Sequence, residues 1–543
     1  MNPSPSSKLA NQQSFGRAAA SGSLEQLMDP IPVRHSELPG SSRLFIDYLY
    51  AFERLAPFYS HPPAGLESFH RAAAQIDYPL ARRRQLVEAL REDNPGAEAL
   101  DRLARPDAVA VVTGQQVGLF GGPAYTIYKA LTAAKLARRL TEYGIPAVAI
   151  FWCATEDHDF EEVRHAWVFD AGFSPARLSV EYAASGQPAG LIVPGAFPVD
   201  ELRSALSSFP FGEETAALVL KHYAEGCAMG TAFRGCMSAL LARFGLLFLD
   251  PLRPSLRALA APLLAKAAEL SGQLTAAVIE RNRQLQAAGY HTQVQVSPGS
   301  TLFFSLSNGR RTPVKQDAEP LSPLVRTPEQ LSPNALLRPV MQDYLLPVAA
   351  HVAGPAEIAY LAQSQVLYRA LGVPQPVEVP RAGFTLLDAR SAKLVRRYRL
   401  SLAQLLAGEQ ALAETISREM VPPELQAAFG SAAEQVRGAL SGLRRTVADF
   451  DPTLAAALDK SAAKMLYQLA KIERKAGREA LRRNQAAASD ALRLSRLLAP
   501  HRHLQERFYS ILPFLAWHGP GLLDKIYEHI RLDSFDHLLL PVQ

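Results

Sequence analysis

A chain of 543 residues, 48% of them hydrophobic, exceeds one core and predicts two or more folded domains. No apolar run reaches the roughly 18 residues a membrane span needs, and MNPSPSSKLANQQS lacks the apolar segment of a secretory signal, so a cytoplasmic protein with no membrane partner is expected. A net charge of +5 is mild at this length and its Lys and Arg residues form no aromatic-studded stripe, which argues against nucleic acid and leaves small anions as partners.

The first forty residues, rich in Ser, Pro and Gly, are read as an irregular segment free to drape over another domain. Helical spacing follows from Leu44 to Tyr59 and from Leu66 to Leu103, broken by Pro62 and Pro63. At Ala108 the pattern changes to AVAVVTG, a short β-branched run, then QQVGLFGGP, then the helical AYTIYKALTAAKLARRL with Pro123 at its first turn. AVAIFWCA, from Ala147, is a second apolar run that ends abruptly in charge at Glu156. Strand, helix and strand in this order predict a right-handed βαβ unit and a parallel sheet. GLLFLDP, from Gly245, predicts a further strand, and the helix after it carries Pro262 as a possible kink point. YHTQVQV and TLFFSLSNGRR are read as an antiparallel pair with Asn308-Gly309 as the turn signal. A helix bearing Met341 and Leu345, an apolar run to Val352, a turn at Gly354-Pro355 and another helix repeat the plan of the first motif, and VEVPR from Val377 supplies one more strand.

Beyond Leu386 the composition becomes that of long helices. Two apolar seams, Phe429 to Phe450 and Leu458 to Ala476, flank DFDPT, where Asp451 can cap and Pro452 can open a helix, so an antiparallel coiled-coil hairpin is expected. Its unpaired flank predicts a homodimer. The division that follows is a core over 1–385 with inserts at about 163–235 and 308–335, a helical coiled-coil domain over 386–500, and a segment over 501–543 packing on either.

Chemistry is expected at the strand ends, because open α/β sheets bind ligands outside the carboxyl ends of their strands. In TGQQVGLFGGP, Gly114, Gly118, Gly121 and Gly122 permit close backbone approach, the following helix start offers N–H groups to an anion, and Gln115 and Gln116 both donate and accept. The spacing is neither a P-loop nor GxGxxG. Glu156, Asp157, His158 and Asp159 end the neighbouring strand and can orient an amine, bind magnesium or move a proton, or else cap a helix; Glu161 and Glu162 are read as solvated. Three cysteines with no CxxC pair exclude a disulfide framework, Cys153 is read as packed, and no metal ligand set is assigned. Arg507, Tyr509 and Trp517 are read as core packing rather than a nucleotide platform.

TGQQVGLFGGPAYTIYKA, ATEDHDFEEV, RPVMQDYLLPVAAHVAGPAEIAYL and VPRAGFTLLD resemble, in order, the cysteine ligases of bacillithiol synthesis, the BshC family, with the likeness running from about Ser41 to the C-terminus. The resemblance implies an α/β fold: a Rossmann-like core of nucleotidyltransferase type with a parallel sheet and two connecting inserts, and a C-terminal α-helical coiled-coil domain that dimerises. It also implies amide formation between L-cysteine and the sugar amine of glucosaminyl-malate. A carboxylate and an amine do not condense unaided at neutral pH, so ATP and Mg2+ are expected to activate the cysteine carboxylate, although HIGH-like and KMSKS-like strings are absent. On that view Gln115, Gln116 and the glycine turn hold an anionic group, Lys129 or Arg381 offsets charge, Asp157 or His158 orients or deprotonates the amine, and Arg338 and Arg381 meet the malate carboxylates. The later motif adds Gln342, His351, Gly354, Glu357 and Tyr360 as candidate substrate contacts. The competing reading is a nucleotide or sugar-phosphate binding protein that recruits partners through its coiled coil without turnover; a tRNA-linked aminoacyl enzyme would need a basic surface that the charge pattern lacks.

Overall fold

The β-branched run Val109–Gln116 (β1) forms the central strand of a five-stranded sheet, and the helix Tyr125–Glu142 (α1) returns the chain to Ala147–Ala154 (β2) beside it. Leu247–Leu249 (β3) extends this side. The chain then crosses to the other flank, where Val348–Ala353 (β4), the helix Pro355–Leu371 (α2) and Val377–Pro380 (β5) complete the order β5-β4-β1-β2-β3, every pair parallel. The order reverses between β1 and β4, so the crevice at their carboxyl ends is the place where such sheets bind ligands. The computed structural model describes residues 29–182, 186–315 and 321–542.

Alternation along β1 and β2 explains why both faces are covered. Val109, Val111, Ala149 and Phe151 enter one apolar core with Ile127 and Leu131 of α1, whereas Ala110, Val112, Val148, Ile150 and Trp152 enter the opposite one. Cys153 is fully buried, and burial pushes its thiol far above the usual range, so it packs and does not react.

Several expectations change. Residues 1–28 of the segment read as irregular lie outside the described residues, and Ile31–Val33 pairs with His537–Val542, itself beside Phe384–Asp388, so three segments far apart in sequence share one small sheet. The stretch Leu44 to Tyr59 is one helix, Arg43–Tyr50, followed by two single turns, and α1 starts at Tyr125 rather than at Pro123. YHTQVQV is not a strand. Ser300–Ser307 pairs instead with Arg310–Lys315 and with Leu331–Pro333, and the turn is the anticipated Asn308-Gly309, both at positive φ as a tight hairpin demands. Tyr290 is drawn away into the core beneath Arg43–Tyr50, where its hydroxyl donates to Asp47 over 3.0 Å.

The helices Pro423–Phe450 (α3) and Pro452–Arg483 (α4) form the antiparallel hairpin, with the Asp451 carboxylate accepting from Thr453 N at 2.7 Å and Arg444 bridging to Asp459 at 2.9 Å. No helix among the described residues is long and apolar enough to cross a membrane.

Candidate active site

Two polar clusters occupy the carboxyl ends of the sheet. At the first, β1 ends in Gln116 and β2 runs into Thr155 and Glu156. The Gln116 amide donates to Asp157 Oδ2 at 2.8 Å and to Glu162 Oε2 at 2.7 Å, joining two carboxylates through one nitrogen. Asp157 Oδ1 accepts the His158 N–H at 2.7 Å and the Asp159 N–H at 3.3 Å, which folds the loop back on itself. Asp159 precedes a four-residue helix without capping it, and its carboxylate faces solvent. Glu161 and Glu162 are both exposed, as read from the sequence; Glu161 pairs with Arg164, and Glu162 in addition joins the cluster through Gln116.

Glu156 is buried and turned away from the ligand side. Its Oε2 accepts from Ser332 at 2.8 Å and lies 3.4 Å from Arg257, whose guanidinium also donates to Leu331 O, so this carboxylate ties the second insert to the end of β2. From that insert Arg311 reaches the first cluster. It donates to His158 Nδ1 at 2.9 Å, stacks on Phe304 at 3.9 Å and lies 3.6 Å from Asp157. Neither Arg311, Ser332 nor Arg257 is visible as a site residue in the sequence, because each comes from a segment with no motif and acquires its role only through the fold.

The second cluster lies in the crevice between β1 and β4. Lys129 of α1 donates to Gly114 O at 2.6 Å and Gln115 Oε1 at 3.1 Å and pairs with Glu357 of α2 at 2.5 Å. Burial draws the ammonium below its usual range; in Glu357 burial is the largest single influence and pushes the carboxyl up, but the combined pull of Lys129 and its other neighbours, the Gly354 N–H among them, holds it below its usual range. Glu357 also accepts from Gly354 N at 2.7 Å, so it is both a helix-start partner and a site residue. Gln115 donates to the Tyr125 hydroxyl at 3.1 Å. Beneath them Arg338 donates to Gln342 at 2.8 Å and Tyr360 at 3.2 Å, and Gln342 donates to Asp343, whose carboxyl is pushed up to about 7 by burial. His351 stands 3.2 Å from Glu378 across the β4–β5 register, both about 1% exposed. Burial takes His351 down to about 3 and lifts Glu378 well above the carboxylate range, so the pair is neutral.

Three assigned roles are revised by these contacts. Arg381 is held by a two-pronged ion pair to buried Glu506, at 2.6 and 3.0 Å, and is not free for a malate carboxylate. Lys129 neutralises Glu357 rather than a ligand. The glycine amides of the turn are already engaged: the N–H groups of Gly118, Gly121, Gly122 and Ala124 donate to Gln116 O, Gly118 O, Leu119 O and Tyr509 O. Its glycines are required by space, since a Cβ on Gly114 would lie 2.7 Å from Trp152 O and one on Gly118 2.9 Å from the Gly122 Cα, and Gly121 and Gly122 have φ of +84° and +69°.

Against this turn opens a cavity of about 460 Å³ lined by Gly118, Gly122, Pro123, Glu162, His165 and Trp167 from the turn and the segment after β2, and by His501, His503, Arg507 and Phe508 from the C-terminal segment. Glu162 thus carries the first cluster into the cavity, facing a basic and aromatic wall from the C-terminal segment. Tyr509 and Trp517 are core residues, Tyr509 fully buried and Trp517 packed on Phe173 and Phe209, so of the C-terminal trio only Arg507 reaches the cavity.

Residues 29–382 match the family model described as bacillithiol biosynthesis BshC, N-terminal Rossmann-like domain, and residues 384–542 match the BshC C-terminal coiled-coil domain. A protein of Solibacter usitatus is 49% identical over 519 residues, 94% of this chain and 99% of the relative. Relatives from Koribacter versatilis and Salinibacter ruber are 35% and 32% identical, each over 92% of this chain and over 97% and 96% of their own lengths. All three carry the name "Putative cysteine ligase BshC". With both domains matched in order and nearly the full length shared, the chain belongs to the BshC family of bacillithiol biosynthesis.

Proposed function

We propose that this chain is a cysteine ligase that joins the carboxylate of L-cysteine to the sugar amine of glucosaminyl-malate. The observation that carries the reading is the polarity of the cavity: an acidic end formed by Glu162, bridged through Gln116 to Asp157, and a basic end formed by Arg507, His501 and His503. A substrate with an amine at one end and two carboxylates at the other matches that order of charge. Glu162, which lines the cavity, is the acceptor for the proton the amine must lose. The nitrogen then attacks the activated carbonyl carbon, the amide bond forms, and the activating group leaves with the carboxylate oxygen.

ATP as co-substrate would supply that activation. Trp167 and Phe508 offer aromatic faces suited to the base of such a ligand. Among the described residues no group of three or more His, Cys, Asp and Glu side chains could hold a metal ion by itself, so magnesium would enter with the ATP phosphates and neutralise part of their charge.

Purified protein incubated with cysteine, glucosaminyl-malate and ATP-Mg is expected to yield the amide thiol by mass spectrometry. AMP as coproduct identifies an adenylate, ADP an acyl phosphate. Ligand binding without any thiol product would instead make the chain a nucleotide or sugar-phosphate binding protein. We also propose a homodimer through the coiled coil, supported by the apolar side chains that α3 and α4 leave open: Phe450 is 84% exposed and Tyr467, Ile472, Met465 and Leu443 about half. Light scattering at micromolar concentration is expected to give twice the 59.1 kDa chain mass; the monomer mass contradicts it.

A further inference from the structure

Arginine cannot accept a hydrogen bond and does not lose its proton in a protein, so any atom it donates to must present a lone pair. Arg311 Nη1 lies 2.9 Å from His158 Nδ1. That nitrogen is therefore the unprotonated one, and the ring's proton sits on Nε2. The arrangement is over-determined rather than incidental. The same guanidinium donates through Nε to Ser332 Oγ at 2.9 Å and through Nη2 to Pro333 O at 2.9 Å, stacks on Phe304, and is 8% exposed. Its backbone N–H is bonded to Gly186 O of the first insert at 2.8 Å. The fork has one geometry open to it, and that geometry points at the imidazole.

The His158 side chain is about one-third exposed, and its Nε2 has no protein partner among the described residues. His158 does not line the 460 Å³ cavity itself but stands beside the Gln116–Asp157–Glu162 cluster that enters it, with this nitrogen left available to a ligand there. A carboxylate neighbour, Asp157 Oδ1 at 3.7 Å from Nδ1, is already engaged by two backbone N–H groups and does not displace the arginine.

We infer that Arg311 is a positioning residue that holds His158 as the neutral Nε2–H tautomer, so that His158 meets the ligand as a hydrogen-bond donor to an oxygen and not as the base that takes the amine's proton. On the proposed ligase reading, that oxygen is the one on which negative charge develops when the amine adds to the activated carbonyl, and the proton passes to Glu162. The second insert thereby acquires a chemical role, fixing a tautomer at the end of β2 from about 150 residues away in sequence.

The test is the ring spectrum of His158 in the full-length protein labelled with 15N-histidine, its signals assigned by their loss in His158→Gln. The expected result is one nitrogen with the shift of a protonated Nε2 and one with that of a lone-pair Nδ1. Arg311→Lys keeps the positive charge but cannot serve Ser332, Pro333 and His158 at once, and it is expected to move both signals toward the tautomer average and to reduce turnover on the order of 10- to 100-fold. A wild-type spectrum with the proton on Nδ1, or already averaged, overturns the inference whatever Arg311→Lys does. An unchanged spectrum in a folded Arg311→Lys overturns Arg311 as its cause. The spectrum is recorded without substrate, so a correct tautomer in a protein with no ligase activity leaves the lock standing and removes only the reaction assigned to it.

Discussion

His351 and Glu378 illustrate how a buried pair can be neutral on both sides. In water a histidine titrates near 6.5 and a glutamate near 4.3, but burial disfavours each charged form, so here the imidazole stays unprotonated down to about 3 and the carboxyl keeps its proton far above its usual range. A folded-state value below the unfolded one means that the contribution of His351 is fully present above about pH 6.5 and is lost as the pH falls through that window toward 3. Buried His537, drawn down to about 4, adds to the same slope. His351→Gln is therefore expected to lose less thermal stability between pH 7 and pH 5 than the wild type, by scanning calorimetry at both pH values; an unchanged difference would mean that the imidazole is not buried in its neutral form. Asp343 has the opposite sign, its raised carboxyl contributing stability at low pH that is lost as the pH rises through about 7.

At this scale the sequence is informative wherever a strand ends in polar residues. Gln116, Asp157 and His158 stand together because apolar runs stop at the same height in neighbouring parallel strands, which periodicity reveals. What it conceals are partners contributed by register and by inserts: Glu378 faces His351 only because β4 and β5 pair in one frame, and Glu506 claims Arg381 from 125 residues away. Glu161 and Glu162 both read as solvated and both are exposed, yet only Glu162 also takes a hydrogen bond from Gln116, a partner that spacing does not reveal.

Among the elements, the glycine turn is legible as a turn and misleading as an anion cradle. Glycine count reports that backbone comes close, not what comes close, and here it is the protein's own Gly122 and Trp152. Gly118 has an ordinary φ of −68°, so Gly118→Ala tests space rather than backbone strain. A loss of about 1–3 kcal/mol is expected in urea unfolding, as for overpacking elsewhere, and a neutral substitution would show that the turn can relax. The false strand YHTQVQV has the alternation of a real one, but β-branched patterning cannot distinguish a pleated edge from an extended loop whose Val294 N–H is taken by the Gln363 side chain. The Asn308-Gly309 turn is the firmer signal, because positive φ at two successive residues is a demand few sequences meet.

For the whole molecule, the doubly wound sheet, the two interruptions and the helical hairpin follow from changes of period along the chain, whereas the closure of the site does not. The cavity exists because the C-terminal segment folds back, through the strand His537–Val542 and the isolated bridge between Trp167 and Tyr509, onto the core from which it is most distant in sequence. Long-range contacts of this kind leave no local trace. They also make the site testable as a unit, since the acidic end comes from β1 and the loop after β2 and the basic end from residues 501–508. The most direct measurement is steady-state ligation by Gln116→Ala, with its thermal transition recorded alongside. Removing the amide that joins Asp157 to Glu162 is expected to abolish turnover, at least about 100-fold as for loss of a transition-state donor, while the transition stays close to that of the wild type; full activity in a folded Gln116→Ala would contradict the assignment of this cluster as the reaction centre.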